Sequence, residues 1–173
     1  LQGLEDWRKN FLHLGGGDSP SEIAQFQGYL NKYKGKAEGP LLGARVQSIF
    51  RSVSGQAVKT INVKDQLNTV LSFITFFGHS SANVSDLDIG LVSDPTTGYN
   101  NLDKYPMILM NGCVAGNSFQ LKNTASNRYS FGEDWMLTPK KGALMFLADA
   151  GLAFPNALDN FTDNFYKSAF TNP

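Results

Sequence analysis

Cysteine is nearly absent: Cys113 is the only one in 173 residues. One thiol excludes an internal disulfide and any multi-cysteine metal site, yet leaves room for a single working nucleophile. Histidine is as scarce, with His13 and His79 alone. Neither sign of charge is in excess, since Lys plus Arg and Asp plus Glu are 15 each. A balanced chain carries no electrostatic footprint for nucleic acid or for an anionic membrane. Long hydrophobic runs are missing too. The longest, near Val70–Gly78, falls well short of the roughly 20 residues of a membrane-spanning helix, so direct membrane insertion is not expected. No charged-then-apolar leader opens the chain, and repeats and low-complexity tracts are absent. Leu1 in place of methionine, and a last helix running almost to Pro173, lead to the expectation that residues 1–173 are a single domain of a larger chain, with its other domains as partners.

What is present is enough for one core. Asn10–Leu14 is an apolar run ended by Gly15-Gly16-Gly17, a first strand and loop. Ser19-Pro20-Ser21-Glu22 announces a helix: serine caps, proline suits the first position, and glutamate three residues on completes a capping box. Ile23, Phe26, Leu30 and Tyr33 follow at helical spacing, with Lys32, Lys34 and Lys36 at the far end and Gly35, Gly39 and Pro40 as breakers. Ala44–Phe50 reads as a strand, Ser52–Gln56 as a turn, Val58–Val63 as a short strand or helix lead-in, and Asp65–Val70 as a short helix. Ser80–Lys104 is a long polar loop, of the kind that is functional or mobile. A polar stretch Phe119–Arg128, a helix over Ser130–Leu137, a strand over Gly142–Ala148 and a final helix from about Pro155 complete the chain. Leu158, Phe161, Phe165, Tyr166 and Phe170 are placed on the inner side of that helix. The alternation predicts an α/β fold: a mostly parallel sheet with helices on both faces.

Two stretches share one grammar. Leu71–His79 is an apolar run, then Gly78 and His79; Tyr105–Cys113 is an apolar run, then Asn111, Gly112 and Cys113. Strands of open parallel sheets deliver functional groups at their carboxyl ends. A histidine and a cysteine brought to one edge would form a thiol–imidazole pair.

Phe76-Phe-Gly-His-Ser-Ser81 and Met110-Asn-Gly-Cys-Val-Ala-Gly-Asn-Ser-Phe119 together resemble the gingipain family of cysteine peptidases. The resemblance extends through Ser130–Trp135 and Lys141–Ala148, and points to the branch holding the sortase-like signal peptidases of the type IX secretion system. It implies a caspase-like three-layer sandwich, with Cys113 as nucleophile, His79 as general base, and the backbone amides of Ser80 and Cys113 as oxyanion donors. It also implies a peptide or protein substrate, no cofactor, and an exported bacterial protein at the outer membrane, the cell surface or outside the cell. Hydrolysis and sortase-like transpeptidation both fit a thioester. A catalytically inactive member, acting as a structural or binding module, is the alternative, because Ser80 stands where the family has glycine. Asp149, Ala150 and Gly151 map to the substrate pocket, and Glu133 is a candidate substrate contact. The family orients its histidine with an acid from a loop after an early strand. Asp18 and Glu22 lie in a comparable loop, with no motif to choose between them.

The remaining polar residues read as structural. His13 lies inside an apolar run. Gly15–Gly17 lacks any phosphate-loop pattern. Asp86, Asp88 and Asp94 fit no calcium-loop spacing and read as solvated, so no metal is expected.

Overall fold

Strands whose residues are apolar at nearly every position must be covered on both faces, and the central strands of this chain are. The structure, a computed structural model, describes residues 6–52, 56–118 and 129–172. The stretch Phe119–Arg128, and most of the expected Ser52–Gln56 turn, lie outside the described residues. Five parallel strands form the main sheet in the order β2-β1-β4-β6-β7: β1 Asn10–Gly15, β2 Arg45–Phe50, β4 Phe73–Phe77, β6 Met107–Asn111 and β7 Met145–Ala148. Two short strands, β3 Lys59–Thr60 and β5 Leu87–Asp88, pair separately. The helices are α1 Pro20–Ala37, α2 Lys64–Val70, α3 Phe131–Leu137 and α4 Pro155–Phe170. The fold is the mostly parallel α/β sandwich that the sequence pattern predicts.

Side-chain alternation divides the core. Phe11, Phe73, Phe77 and Leu109 face α1 and α4, where they meet Phe26, Leu30, Tyr33, Leu158 and Tyr166. Leu12, Leu14, Ile74, Phe76, Ile108 and Met110 face the other way, against Leu67 of α2 and Phe131 and Trp135 of α3. The long segment between β4 and β6 helps to cover this second face with Leu87, Ile89, Val92 and Tyr99, all buried. It is a packed crossover in place of a helix, held by Tyr99 Oη donating to the Ile89 carbonyl and by Asn101 bonded to both backbone groups of Gly142. Among the described residues, no helix is long and apolar enough to cross a membrane.

Three expectations need correcting. Gly35 does not end α1, which runs on to Ala37; an added Cβ there would meet nothing, so the glycine sits on the open side of the helix. Phe161 is 51% exposed, because the inward stripe of α4 is Leu158, Thr162 and Tyr166, spaced four apart. Asp86 and Asp88 are buried rather than solvated, with their carboxylates receiving backbone N–H groups of Gly17, Ser85 and Gly90.

The structural reading of His13 agrees with its surroundings. Its Nε2 lies 2.9 Å from the Tyr166 hydroxyl, which also bonds Thr75 Oγ1 at 2.6 Å, all within the sheet–α4 interface. Burial disfavours the imidazolium and pushes the His13 pKa down to about 4. The unfolded chain therefore binds the extra proton first, and stability falls as the pH drops from about 6.5 towards 4. Urea denaturation should show a loss of order 3 kcal/mol across that window, and His13→Gln should flatten the dependence. At pH 7, Tyr166→Phe should cost about 1–3 kcal/mol by stranding two buried polar groups.

Candidate active site

The in-register ladder between β4 and β6 ends at the pair Phe77–Asn111. His79 and Cys113 each stand two residues beyond that pair, so both leave the sheet at the same carboxyl edge. The edge is tied together by backbone bonds: Gly16 donates to the Phe77 carbonyl, Gly78 to Asn111, and Arg51 to Gly15. Small residues at these ends make room. An added Cβ on Gly78 would lie 2.6 Å from Asp86 Oδ1 and from Phe76 Cζ, and one on Gly112 would overlap the Ser80 side chain.

His79 is half-exposed, its ring edge-on to Phe26 at 5.9 Å. Its Nε2 lies 3.3 Å from Glu22 Oε1 and 4.0 Å from Asp18 Oδ2. Glu22 fills two roles with two oxygens. Oε2 accepts the Asp18 and Ser19 amides as the return half of the α1 capping box, which leaves Oε1 for the imidazole. The Asp18 amide, with His79 adding to it, holds the Glu22 carboxyl below the usual range. Glu22 is thus the nearer of the two acids beside the histidine, an order that the sequence leaves open. Its capping role is the same geometry and not a competing one.

Cys113 is half-buried. Its Sγ lies 3.5 Å from both the amide nitrogen and the carbonyl oxygen of Ala153. Val114, immediately after it, has φ +62°, a left-handed conformation that costs a β-branched residue about 1–2 kcal/mol and concentrates at functional sites. The Val114 and Gly116 amides donate to the carbonyls of Gly151 and Asp149. The turn after the cysteine and the segment after β7 therefore run together, which brings the predicted Asp149, Ala150 and Gly151 beside it. Asp149 borders a cavity of about 380 Å³ walled by Leu109, Leu147, Leu152, Phe154 and Phe161. Partial burial raises its carboxyl pKa.

Ser80 Oγ donates to the Cys113 carbonyl at 2.8 Å, joining the two strand ends. Among the described residues, neither the Ser80 amide nor the Cys113 amide donates to a protein acceptor. Glu133 caps α3, accepting from the Ser130 amide and hydroxyl, and borders a shallow depression with Gly116 and Ser118. No group of metal-ligating side chains occurs among the described residues.

The sequence does not single out Arg51, and Asp86 reads there as solvated. Arg51 Nη1 lies 3.0 Å from Asp18 Oδ1 and 3.8 Å from Asp86 Oδ2. One signal was available for the arginine: it follows β2 at the same edge as His79 and Cys113.

The family model of peptidase family C25 matches residues 2–173. No curated protein matches the chain. Among solved structures the chain is similar to the Arg-specific cysteine proteinase gingipain R (RgpB), with a TM-score of 0.63 and 16% identity over 95% of this chain and 37% of that one. The complex of the pro- and mature domains of Porphyromonas gingivalis RgpB matches with a TM-score of 0.63 and 17% identity, over 95% of this chain and 38% of that one. The chain thus spans well under half the length of these structures.

Packing at the strand ends gives a direct test. Gly78→Ala should cost about 1–3 kcal/mol by overpacking against Asp86 and Phe76. Gly28→Ala, in open space on α1, should stabilise by about 0.5–1 kcal/mol. Urea midpoints of the two variants should therefore move in opposite directions.

Proposed function

The chain belongs to peptidase family C25, and from that premise we propose that it is a cysteine peptidase domain working through a Cys113/His79 dyad. The observation that carries the reading is the imidazole at one strand end with Glu22 on its Nε2, next to the strand end that holds the thiol. With Nε2 turned to the acid, Nδ1 is the nitrogen left for the thiol. His79 takes the Sγ proton as sulfur attacks the substrate carbonyl carbon, and the Ser80 and Cys113 amides receive the oxyanion. One such donor is worth roughly 3–4 kcal/mol. The imidazolium then protonates the leaving amine, and a thioester remains on Cys113. Water resolves it by hydrolysis; an incoming amine resolves it by transpeptidation, the sortase-like chemistry of the type IX secretion branch. Glu22, and Asp18 behind it, favour the imidazolium that the leaving step needs.

The substrate is a protein or peptide whose side chain enters beside Asp149, Ala150 and Gly151, where apolar walls end in a carboxylate suited to a basic group. The matching gingipain is Arg-specific, which fits such a rim. Glu133, occupied as a cap, is assigned at most an outer contact. The reading carries with it an exported protein at the cell surface, working beside other domains of a longer chain. A second reading, a non-catalytic module, is favoured by one observation: Ser80 replaces glycine, and its hydroxyl is spent on the Cys113 carbonyl.

The pH dependence of Cys113 alkylation by iodoacetamide separates the two readings. A free thiol has a pKa of about 8.5. Fast alkylation persisting well below that pH, and slowed by about tenfold at pH 6.5 in His79→Ala, is the result expected of the dyad. An ordinary thiol profile, unchanged by the substitution, leaves the module. Glu22→Gln should slow alkylation near pH 6, because it removes the nearest negative charge from the imidazolium.

A further inference from the structure

Behind the acids that face His79 lies a buried pair that the proposed reaction does not use. The Arg51 and Asp86 side chains are 1% and 3% exposed, with Nη1 and Oδ2 3.8 Å apart. Nη1 also binds Asp18 Oδ1 at 3.0 Å, and Asp18 is one of the two carboxylates beside the imidazole. Asp86 reaches the histidine by another route. Its own amide donates to the His79 carbonyl at 2.9 Å, and its carboxylate accepts the Gly17 amide at 2.6 Å, just before Asp18. The carboxylate occupies a slot between the ends of β1 and β4 that exists because Gly16 and Gly78 carry no side chain there.

This arrangement is poorly explained by stability. Among the described residues, Arg51 Nε and Nη2 and Asp86 Oδ1 are buried without partners. A buried ion pair with incomplete hydrogen bonding is commonly no better than an apolar replacement. Its position says more: one cation and one anion stand behind the acidic side of the single exposed imidazole, tied to it through Asp18 on one route and through the His79 backbone on the other.

We propose that Arg51 and Asp86 are a positioning pair for His79. Arg51 holds Asp18 in place and tempers the negative charge that the imidazole meets, while Asp86 fixes the His79 main chain and adds negative charge from behind. The inference rests on the dyad reading only for its consequence at Cys113. Among the described residues, the charged or titratable groups of this arrangement are Asp18 just before α1, Glu22 in its first turn, Arg51 after β2, Asp86 in the loop after His79 and, across the edge, Cys113.

The two members carry opposite charge, so their loss has opposite signatures. With only two histidines in the chain, the imidazole of His79 can be titrated by NMR, with buried His13 as internal reference. Arg51→Met should raise the His79 midpoint by about half a pH unit, and Asp86→Asn should lower it by a similar amount. The double variant should return close to the parent value, and Arg51→Lys should stay near it. A purely structural pair would unfold or loosen the edge without this reversal of sign. Both midpoints unmoved, or both moved the same way, would overturn the proposal. Should Arg51→Met not fold, Asp86→Asn, which keeps the shape of the side chain, decides alone: a lowered midpoint supports the pair and an unmoved one overturns it. The readout does not depend on Cys113 chemistry. An inert thiol in the parent protein would sink the dyad reading while leaving the titration a valid test of the pair.

Discussion

The parallel ladder between β4 and β6 is the constraint from which the edge is built. Its register pairs Phe73 with Met107 and runs without a bulge to Phe77 and Asn111. A slip of one residue would turn Ile74 and Phe76 from one core to the other, and the separate buried clusters on the two faces forbid it. The same pairing therefore decides both the packing and the height at which His79 and Cys113 emerge. Position at this edge is a by-product of core burial.

The rest of the edge is arranged around the small residues that end the strands. Gly16 and Gly78 admit the Asp86 carboxylate, and Gly112 admits the Ser80 side chain. Each insertion ties one strand end to another: Asp86 receives the Gly17 amide after β1, and Ser80 reaches the Cys113 carbonyl after β6. At this edge Val114, directly after the cysteine, takes the left-handed backbone, and the Val114 and Gly116 amides hold the turn by donating to the Gly151 and Asp149 carbonyls. The edge is a set of short polar links laid over a sheet whose own core is apolar.

Much of this was legible in the sequence because it depends on local pattern. The apolar runs ending in small residues mark the strands and their ends, and the Ser19/Glu22 pair marks the start of α1, found as a capping box. What stayed hidden depends on contacts between distant residues. That Asp86 is buried follows from glycines at positions 16 and 78, 62 residues apart in sequence, a coincidence that no periodicity records. Ser80–Lys104 reads as polar and open because its buried apolar residues Leu87, Ile89, Val92 and Tyr99 are spaced irregularly, while Asp88, Tyr99 and Asn101 bond backbone groups that a regular helix would satisfy itself. Phe161 fits the apolar stripe of α4 by spacing alone, yet Thr162 takes the inner position because Asn111 offers its Oγ1 an acceptor at 2.7 Å.

The acid beside His79 shows how one local rule can serve another purpose. A glutamate at the third position of a helix ordinarily folds back to close the cap, and here it does so with Oε2. That return bond fixes the carboxylate, so Oε1 is aimed by the start of α1 and not by contacts with the imidazole itself. The arrangement also explains why Glu22 and not Asp18 is nearer to the ring. Asp18 precedes the helix and is 58% exposed, and it is held from the other side by Arg51. The helix start aims one acid, the buried arginine holds the exposed one, and the imidazole sits where the two meet.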